Sequence, residues 1–284
     1  LDGGVELLIG IPLPEAGGLY FEFASLADTE STLESLSTSL FGAALVTTLA
    51  GAALGWWVSR RTLRPLADVS LAAEAIVAAA QAGKHILCEK PLCLTVEQAD
   101  QVQRAVSAAG VTLMCAHNQL FLPAVSKARQ LLDQGILGTV YEVRTTDSFY
   151  NDFNPQNMGW RATSATSGGG ELMDTGYHPT YLMLHLAGGS PVEATALLSR
   201  HRLRFMDSED SAQVLVRFDN GVAGHLVTSW AYDPPPGTER FSVVGERGSL
   251  HSDGRSLTVT MRGSSSQTYD FEDVDTFVSE IGHF

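Results

Sequence analysis

Twenty-five consecutive residues without a formal charge, Ser35–Ser59, constrain this chain more than any other feature. Leu40–Val58 within the run is largely apolar, and a helix of about 20 such residues crosses the hydrocarbon of a bilayer. Seven acids (Asp2, Glu6, Glu15, Glu22, Asp28, Glu30, Glu34) precede the run, and Arg60, Arg61 and Arg64 follow it. Trp56 and Trp57 stand where an aromatic belt belongs, and the basic flank is of the cytoplasmic kind. Ala43, Thr47, Gly51 and Gly55 put small residues on one helical face, a spacing that lets two membrane helices approach closely. The expectation is one continuous apolar helix over residues 38–59, inserted in a membrane. The alternative is an Ala/Gly-rich helix buried in a soluble protein.

The remainder is ordinary globular sequence. At 44% apolar and 18% charged it can bury a core, and 284 residues allow one large domain or two ordinary ones. A net charge of −14 excludes nucleic acid as a partner, since binding by counterion release needs a basic surface. Cys88, Cys93 and Cys115 form no CxxC or zinc spacing, which excludes a disulfide scaffold and a structural metal and favours a reducing compartment. The chain reads as a fragment at both ends.

From about residue 74 helix and strand patterns alternate. LAAEAIVAAAQAG is an Ala-rich helix closed by Gly83, and HILCE is a short buried strand. Thr95–Gln98 is a capping box opening a helix that runs to Gly110. VTLMCAH is a strand, PAVSKARQLLDQG a helix, TVYEVRTT a strand. Gly168–Gly170 then leads into one helix over ELMDTGYHPTYLMLHLAGG. After it the period falls to two, through VEATALLSRH, SAQVLVRF, VAGHLVTSWAY, ERFSVVG, SLHSD and SLTVTMR, with turns at Asp219-Asn220-Gly221 and Glu246-Arg247-Gly248. A parallel-sheet piece followed by an α+β domain with a large, mostly antiparallel sheet is the expected architecture.

Two places invite chemistry. Glu89-Lys90-Pro91 ends a strand, and open α/β sheets bind ligands at the carboxyl ends of their strands. Asp174 and His178, four apart on a predicted helix, share a face, so the carboxylate could fix the imidazole's tautomer as in a general acid–base pair. Gly168–Gly170 just upstream would let a substrate approach the backbone. His85, His185 and His225 sit in apolar runs and read as satisfied core histidines, and Cys88 as an inert strand thiol.

GKHILCEKP, the capped helix, HNQLFLPA, Trp160-Arg161 and GGGELMDTGYH together resemble, in order and spacing, the glucose–fructose oxidoreductase/inositol dehydrogenase/MocA (Gfo/Idh/MocA) family over residues 77–284. The resemblance implies a Rossmann-type remnant over 77–121 and a substrate domain over 122–284. It implies hydride transfer between NAD or NADP and a sugar, polyol or related hydroxyl, in a cytoplasmic enzyme whose copies associate through the sheet. By position it makes Lys90, Asp174 and His178 catalytic, with Lys90 holding the hydroxyl, His178 moving the proton and Asp174 orienting His178. Glu89, Lys90 and Pro91 would touch the cofactor; Asn118, Trp160, Arg161 and Tyr181 would line the substrate, with His117 beside Asn118. Tyr181 departs from the family's usual aspartate at that place.

The first quarter resembles something else. LLIGIPLPEAGGLYFEF, STLESL, the apolar span and SRRTLRPLADVSLAAEAI are similar to a bacterial sensor histidine kinase. They correspond to the end of its extracytoplasmic region (1–35), its second membrane helix (36–60) and the first HAMP helix (61–76). No phosphoacceptor helix or ATP-binding box follows. Of the 27 glycines, no three stand in the GxGxxG spacing that dinucleotide binding uses. The chain is therefore expected to be inactive alone, as a fusion of two truncated coding regions. A membrane-anchored sensor fragment and a non-enzymatic sugar-binding module are the competing classes.

Overall fold

The computed structural model describes the backbone of residues 6–13, 18–25 and 27–284, and the side chains of residues 35–52 and 72–284. The chain divides into two compact units, Leu1–Thr62 and Leu63–Phe284.

In the first unit, β1 (Glu6–Leu13) and β2 (Gly18–Ser25) form an antiparallel hairpin, followed by α1 (Ala27–Gln81), a helix of 55 residues. Every described side chain from residue 35 to residue 52 is exposed. Ser35–Ala52 is long and apolar enough to cross a membrane by length and composition, at a mean hydropathy of 1.3. Ser39, Thr47 and Thr48 return their hydroxyls to the carbonyls of Ser35, Ala43 and Ala44, so these polar atoms are satisfied inside the helix. The side chains of Trp56, Trp57, Arg60, Arg61 and Arg64 lie outside the described residues.

The second unit opens with the last stretch of α1. Ala73 and Ile76, assigned above to a HAMP helix, are buried with Val102 against Ile86, Cys88 and Leu113. They belong to an α/β core made with β3 (Ile86–Cys88), α2 (Val96–Ala109) and β4 (Leu113–Cys115), and β3 and β4 pair in parallel. The capping box forms as expected, Thr95 and Gln98 satisfying each other's backbone, and Gly110 ends α2 in the left-handed region. HILCE and VTLMCAH shorten to three paired residues each, and these are half-buried rather than buried.

Next come α3 (Pro123–Asp133), β5 (Val140–Ser148), α4 (Ser164–Ser167), α5 (Glu171–Asp174) and α6 (Tyr177–Ala187). Then follow β6 (Pro191–Ser199), β7 (Ser211–Phe218), β8 (Ala223–Ser229), β9 (Phe241–Gly245), β10 (Gly248–Ser252), β11 (Ser256–Met261), β12 (Gln267–Asp270) and α7 (Thr276–His283). One eight-stranded sheet runs β12-β11-β10-β9-β5-β8-β7-β6, antiparallel except for the β5–β8 pair. Its inner face supplies Val143, Val216, Phe218, Leu226, Phe241, Val243, Leu250 and Leu257 to a core closed by α3 and α6. The strict alternation of period two explains why the other face stays wet. That face exposes Leu215, and β6 exposes almost its whole length, with Leu197 73% exposed.

The single helix expected after the triple glycine is broken. Thr175 and Gly176 separate α5 from α6, and a Cβ on Gly176 would come within 2.6 Å of Leu172 Cα. The tight step between the two helices is therefore open only to glycine. The histidine reading also needs correction. His85 precedes β3 and is exposed, with Nδ1 accepting from the Thr112 backbone N–H, and His185 and His225 are half-buried, so none is a core residue. Cys88 is half-buried, and burial pushes its thiol pKa up, which keeps it protonated and unreactive.

Candidate active site

Lys90 follows β3 at its carboxyl end and extends to the end of α5. Its Nζ donates to Asp174 Oδ1 at 3.0 Å and to the Asp174 carbonyl at 2.9 Å. Asp174 Oδ2 accepts from Arg161 Nε, and the Arg161 guanidinium lies 4.4 Å over the Trp160 ring. One carboxylate thus holds two cations, the three residues coming from three separate stretches of sequence. Burial alone would raise the Asp174 carboxyl, but Lys90 and Arg161 outweigh it and hold the pKa below the ordinary value. Asp174 is ionised at neutral pH.

His178 opens α6. Its Nδ1 bonds Tyr181 Oη at 2.7 Å, and Asp174 is not its partner. The expected carboxylate–imidazole pair fails because the break at Gly176 ends the helical register that would have stacked the two residues. Burial, then the positive charges of Lys90 and Arg240, push the His178 pKa down to about 4, against a smaller upward pull from Asp174. The imidazole is neutral at pH 7. Lys90, Asp174 and His178 therefore share one electrostatic neighbourhood although 84 residues separate the first two.

Tyr181 is 5% exposed and binds its surroundings on three sides. It meets His178, accepts from the Gln119 backbone N–H at 3.3 Å, and stacks on His117 with ring centroids 4.4 Å apart. His117 Nε2 is buried without a partner, and burial lowers the pKa of this imidazole. Asn118 donates to Thr276 Oγ1 at 3.3 Å, so its amide ties α7 down, while Glu89 is exposed with its carboxylate on the Lys90 backbone N–H at 3.2 Å. In the triple glycine, Gly170 is buried and serves packing, while Gly168 is exposed and Gly169 half-buried. A Cβ on Gly170 would lie 2.0 Å from the Glu209 carbonyl, and one on Gly168 2.7 Å from Leu94 Cδ2.

Sequence reading missed several members. Glu171, directly after the glycines, is fully buried, with Oε1 accepting from Thr228 and Oε2 without a partner. Burial, with Asp147, Glu209 and Asp174 nearby, pushes its pKa up to about 8. Asp147 near the end of β5 is also raised by burial. Glu280 of α7 is buried with its Oε1 unpartnered, and burial raises its carboxyl. Arg240, just before β9, donates from Nη1 to Gln119 Oε1 at 2.7 Å. Asp147 ending a strand and Glu171 after a glycine run were visible signals; Arg240 and Glu280 had none. Among the described residues no cluster fits a metal.

A parallel β–α–β piece with a lysine at its strand end, set against an α+β domain whose helix presents a neutral histidine, defines a dinucleotide-type oxidoreductase fold. Residues 125–251 match the GFO/IDH/MocA C-terminal domain, and residues 58–117 match the oxidoreductase family's NAD-binding Rossmann fold. The chain belongs to the Gfo/Idh/MocA oxidoreductase family. The Rossmann match takes in the segment 61–76, in keeping with the burial of Ala73 and Ile76 in the α/β core.

The chain is 30% identical over 202 residues to a 1,5-anhydro-D-fructose reductase of Ensifer adhaerens, covering 69% of this chain and 59% of that one. A solved NAD binding oxidoreductase from Klebsiella pneumoniae is similar at 31% identity and TM-score 0.64, covering 70% of this chain and 58% of its own. An aldose-aldose oxidoreductase from Caulobacter crescentus, complexed with glycerol, is similar at 27% identity and TM-score 0.66, covering 76% and 65%. The chain spans between 52% and 59% of the length of the first curated relatives it matches.

Proposed function

We propose that residues 63–284 carry the substrate half of an NAD(P)-dependent oxidoreductase acting on a hydroxyl of a sugar or polyol. The observation that carries the reading is the Lys90–Asp174–Arg161 network beside a neutral His178. An ammonium has three donors, and Asp174 occupies two of those of Lys90, which leaves one for a substrate oxygen. That hydrogen bond, with the charge behind it, stabilises a developing alkoxide. His178 exchanges the hydroxyl proton through Nε2, because Nδ1 is taken by Tyr181. The Tyr181 oxygen already accepts from Gln119, so its hydrogen can turn toward or away from Nδ1 and support either tautomer.

The residues present fit one end of the cofactor. Lys90 at the strand end and the unpartnered His117 Nε2 offer polar contacts to a nicotinamide, and Glu89 and Pro91 flank the same place. When bound, the dinucleotide supplies the hydride acceptor or donor. Its diphosphate is another matter, since these 284 residues hold no GxGxxG turn. That gap favours a second reading, a sugar-binding module without redox chemistry of its own. Asn118, Trp160, Arg161 and Tyr181 remain proposed substrate neighbours, and copies of the chain are proposed to associate through the exposed sheet face. For residues 38–59 we propose membrane insertion, with Arg60, Arg61 and Arg64 and the oxidoreductase part on the cytoplasmic side. The kinase-like origin of the first segment is a proposal of the same standing.

Calorimetric titration of the full chain in detergent with D-glucose, sorbitol and myo-inositol tests the site. At least one ligand should bind saturably and lose about tenfold in affinity, about 1.4 kcal/mol, in both K90M and H178A. Absence of binding by all such ligands, or affinities unchanged in both variants, contradicts the reading.

A further inference from the structure

Arg240 is the charged residue of this neighbourhood that the proton-transfer reading leaves unused. It is half-buried, and among the described residues no carboxylate lies within ion-pair distance of it. Lys90 and Arg161, by contrast, share Asp174. Among the described residues the side chain of Arg240 makes one hydrogen bond, to Gln119 Oε1 at 2.7 Å. Gln119 N–H donates to Tyr181 Oη at 3.3 Å, and Tyr181 Oη meets His178 Nδ1 at 2.7 Å. A guanidinium without an ion pair among the described residues thus stands at one end of a bonded chain whose other end is the His178 imidazole.

No surrounding acid closes an ion pair with Arg240 among the described residues. Glu171 holds its proton to about pH 8, and Asp147, which burial raises and the Arg240 charge lowers, stays beyond ion-pair distance of the guanidinium. Burial raises Glu280, Glu239 lies 3.6 Å from His251, and Glu89 is exposed beside Lys90. Tyr181 is kept neutral by burial, which raises its phenol. A partly desolvated cation costs free energy unless an anion meets it. A guanidinium has five donors in a planar fork that suits the two oxygens of a carboxylate or phosphate.

We propose that Arg240 anchors an anionic group, a carboxylate or a phosphate, on the sugar or polyol, so that the site selects acidic sugars over neutral ones. The proposal rests on the sugar-site reading above and names the substrate class of that site. Calorimetry on the full chain with D-glucuronate, D-glucose 6-phosphate and D-glucose tests it and separates the two anion sources. At least one of the acids should bind about tenfold more tightly than glucose, and R240Q should bring that acid down to the affinity of glucose. R240K, which keeps the charge and loses the fork, should retain part of the preference, and it covers the case in which R240Q does not fold. Glucose binding as tightly as both acids, or a preference that survives both substitutions, overturns the anion anchor and leaves the sugar site standing. Failure of all three ligands to bind overturns the sugar site and the anchor with it.

Discussion

Replacing Glu171 by Gln removes a titration that the fold makes unusual. The carboxyl is fully buried after the glycine turn, and burial with three neighbouring acids lifts its pKa from 4.5 to about 8. The folded chain therefore binds a proton that the unfolded chain has released, over the interval between those values. That binding stabilises the fold fully below the unfolded value and is lost as pH rises through the folded one. The loss amounts to about 1.4 kcal/mol per pH unit, or about 5 kcal/mol in all. His178 works in the opposite sense. Its folded pKa of about 4 lies below the ordinary 6.5, so its contribution is present above 6.5 and is lost as pH falls. The two cancel in part in the wild type, and the difference between wild type and E171Q isolates the glutamate. Urea unfolding of the full chain can be followed by tryptophan fluorescence, with Trp230 reporting directly because its indole N–H donates to Thr175 beside the cluster. Between about pH 5 and about pH 8, E171Q should gain about 4 kcal/mol relative to wild type. A stability difference that stays constant across that interval refutes the buried-acid argument.

Asp174→Asn leaves Lys90 and Arg161 without their shared carboxylate and should cost about 2–4 kcal/mol by urea unfolding, discounted from the deep-interior range because both cations are partly exposed; a loss below about 1 kcal/mol would contradict the network. Leu197→Arg on β6 should shift the sedimentation of the full chain to a single copy if the sheet face mediates association, and an unchanged mass would rule that face out. Alkaline carbonate should fail to extract the chain from membranes unless residues 38–59 are deleted, and ready extraction of the intact chain contradicts insertion. Titration of the intact chain with NAD or NADP should show no binding tighter than about millimolar, since the glycine turn for the diphosphate is missing. Micromolar binding would overturn that.

Much of the second unit was legible because its signals are local. The Thr95–Gln98 box, the glycines after α2 and α3 and the period-two runs each dictate a short piece of backbone, and each piece formed. Lys90 was legible as a strand-end residue. The partnership of Asp174 was not, because it depends on Gly176 breaking a helix that periodicity alone continues, and on Arg161 arriving from a loop. The triple glycine illustrates the same limit. Its residue type announces close approach, but only the fold shows that Glu209 and Leu94 are what approach. The apolar positions 73 and 76 fit two helical contexts equally well, and contact with Val102 and Ile86 decides for the α/β core. Arg240 and Glu280 stand far from the other site residues in sequence and enter only through tertiary packing.

The proposed proton exchange needs the Lys90 charge to act on the His178 ring. NMR titration of the His178 ring in the full chain, assigned by its loss in H178N, measures this directly. A pKa of about 4 is expected in the wild type and a clear rise in K90M, since the Lys90 charge is one of the causes, after burial, holding it down. A value near the ordinary 6.5 in both proteins would place His178 away from Lys90 and contradict the account.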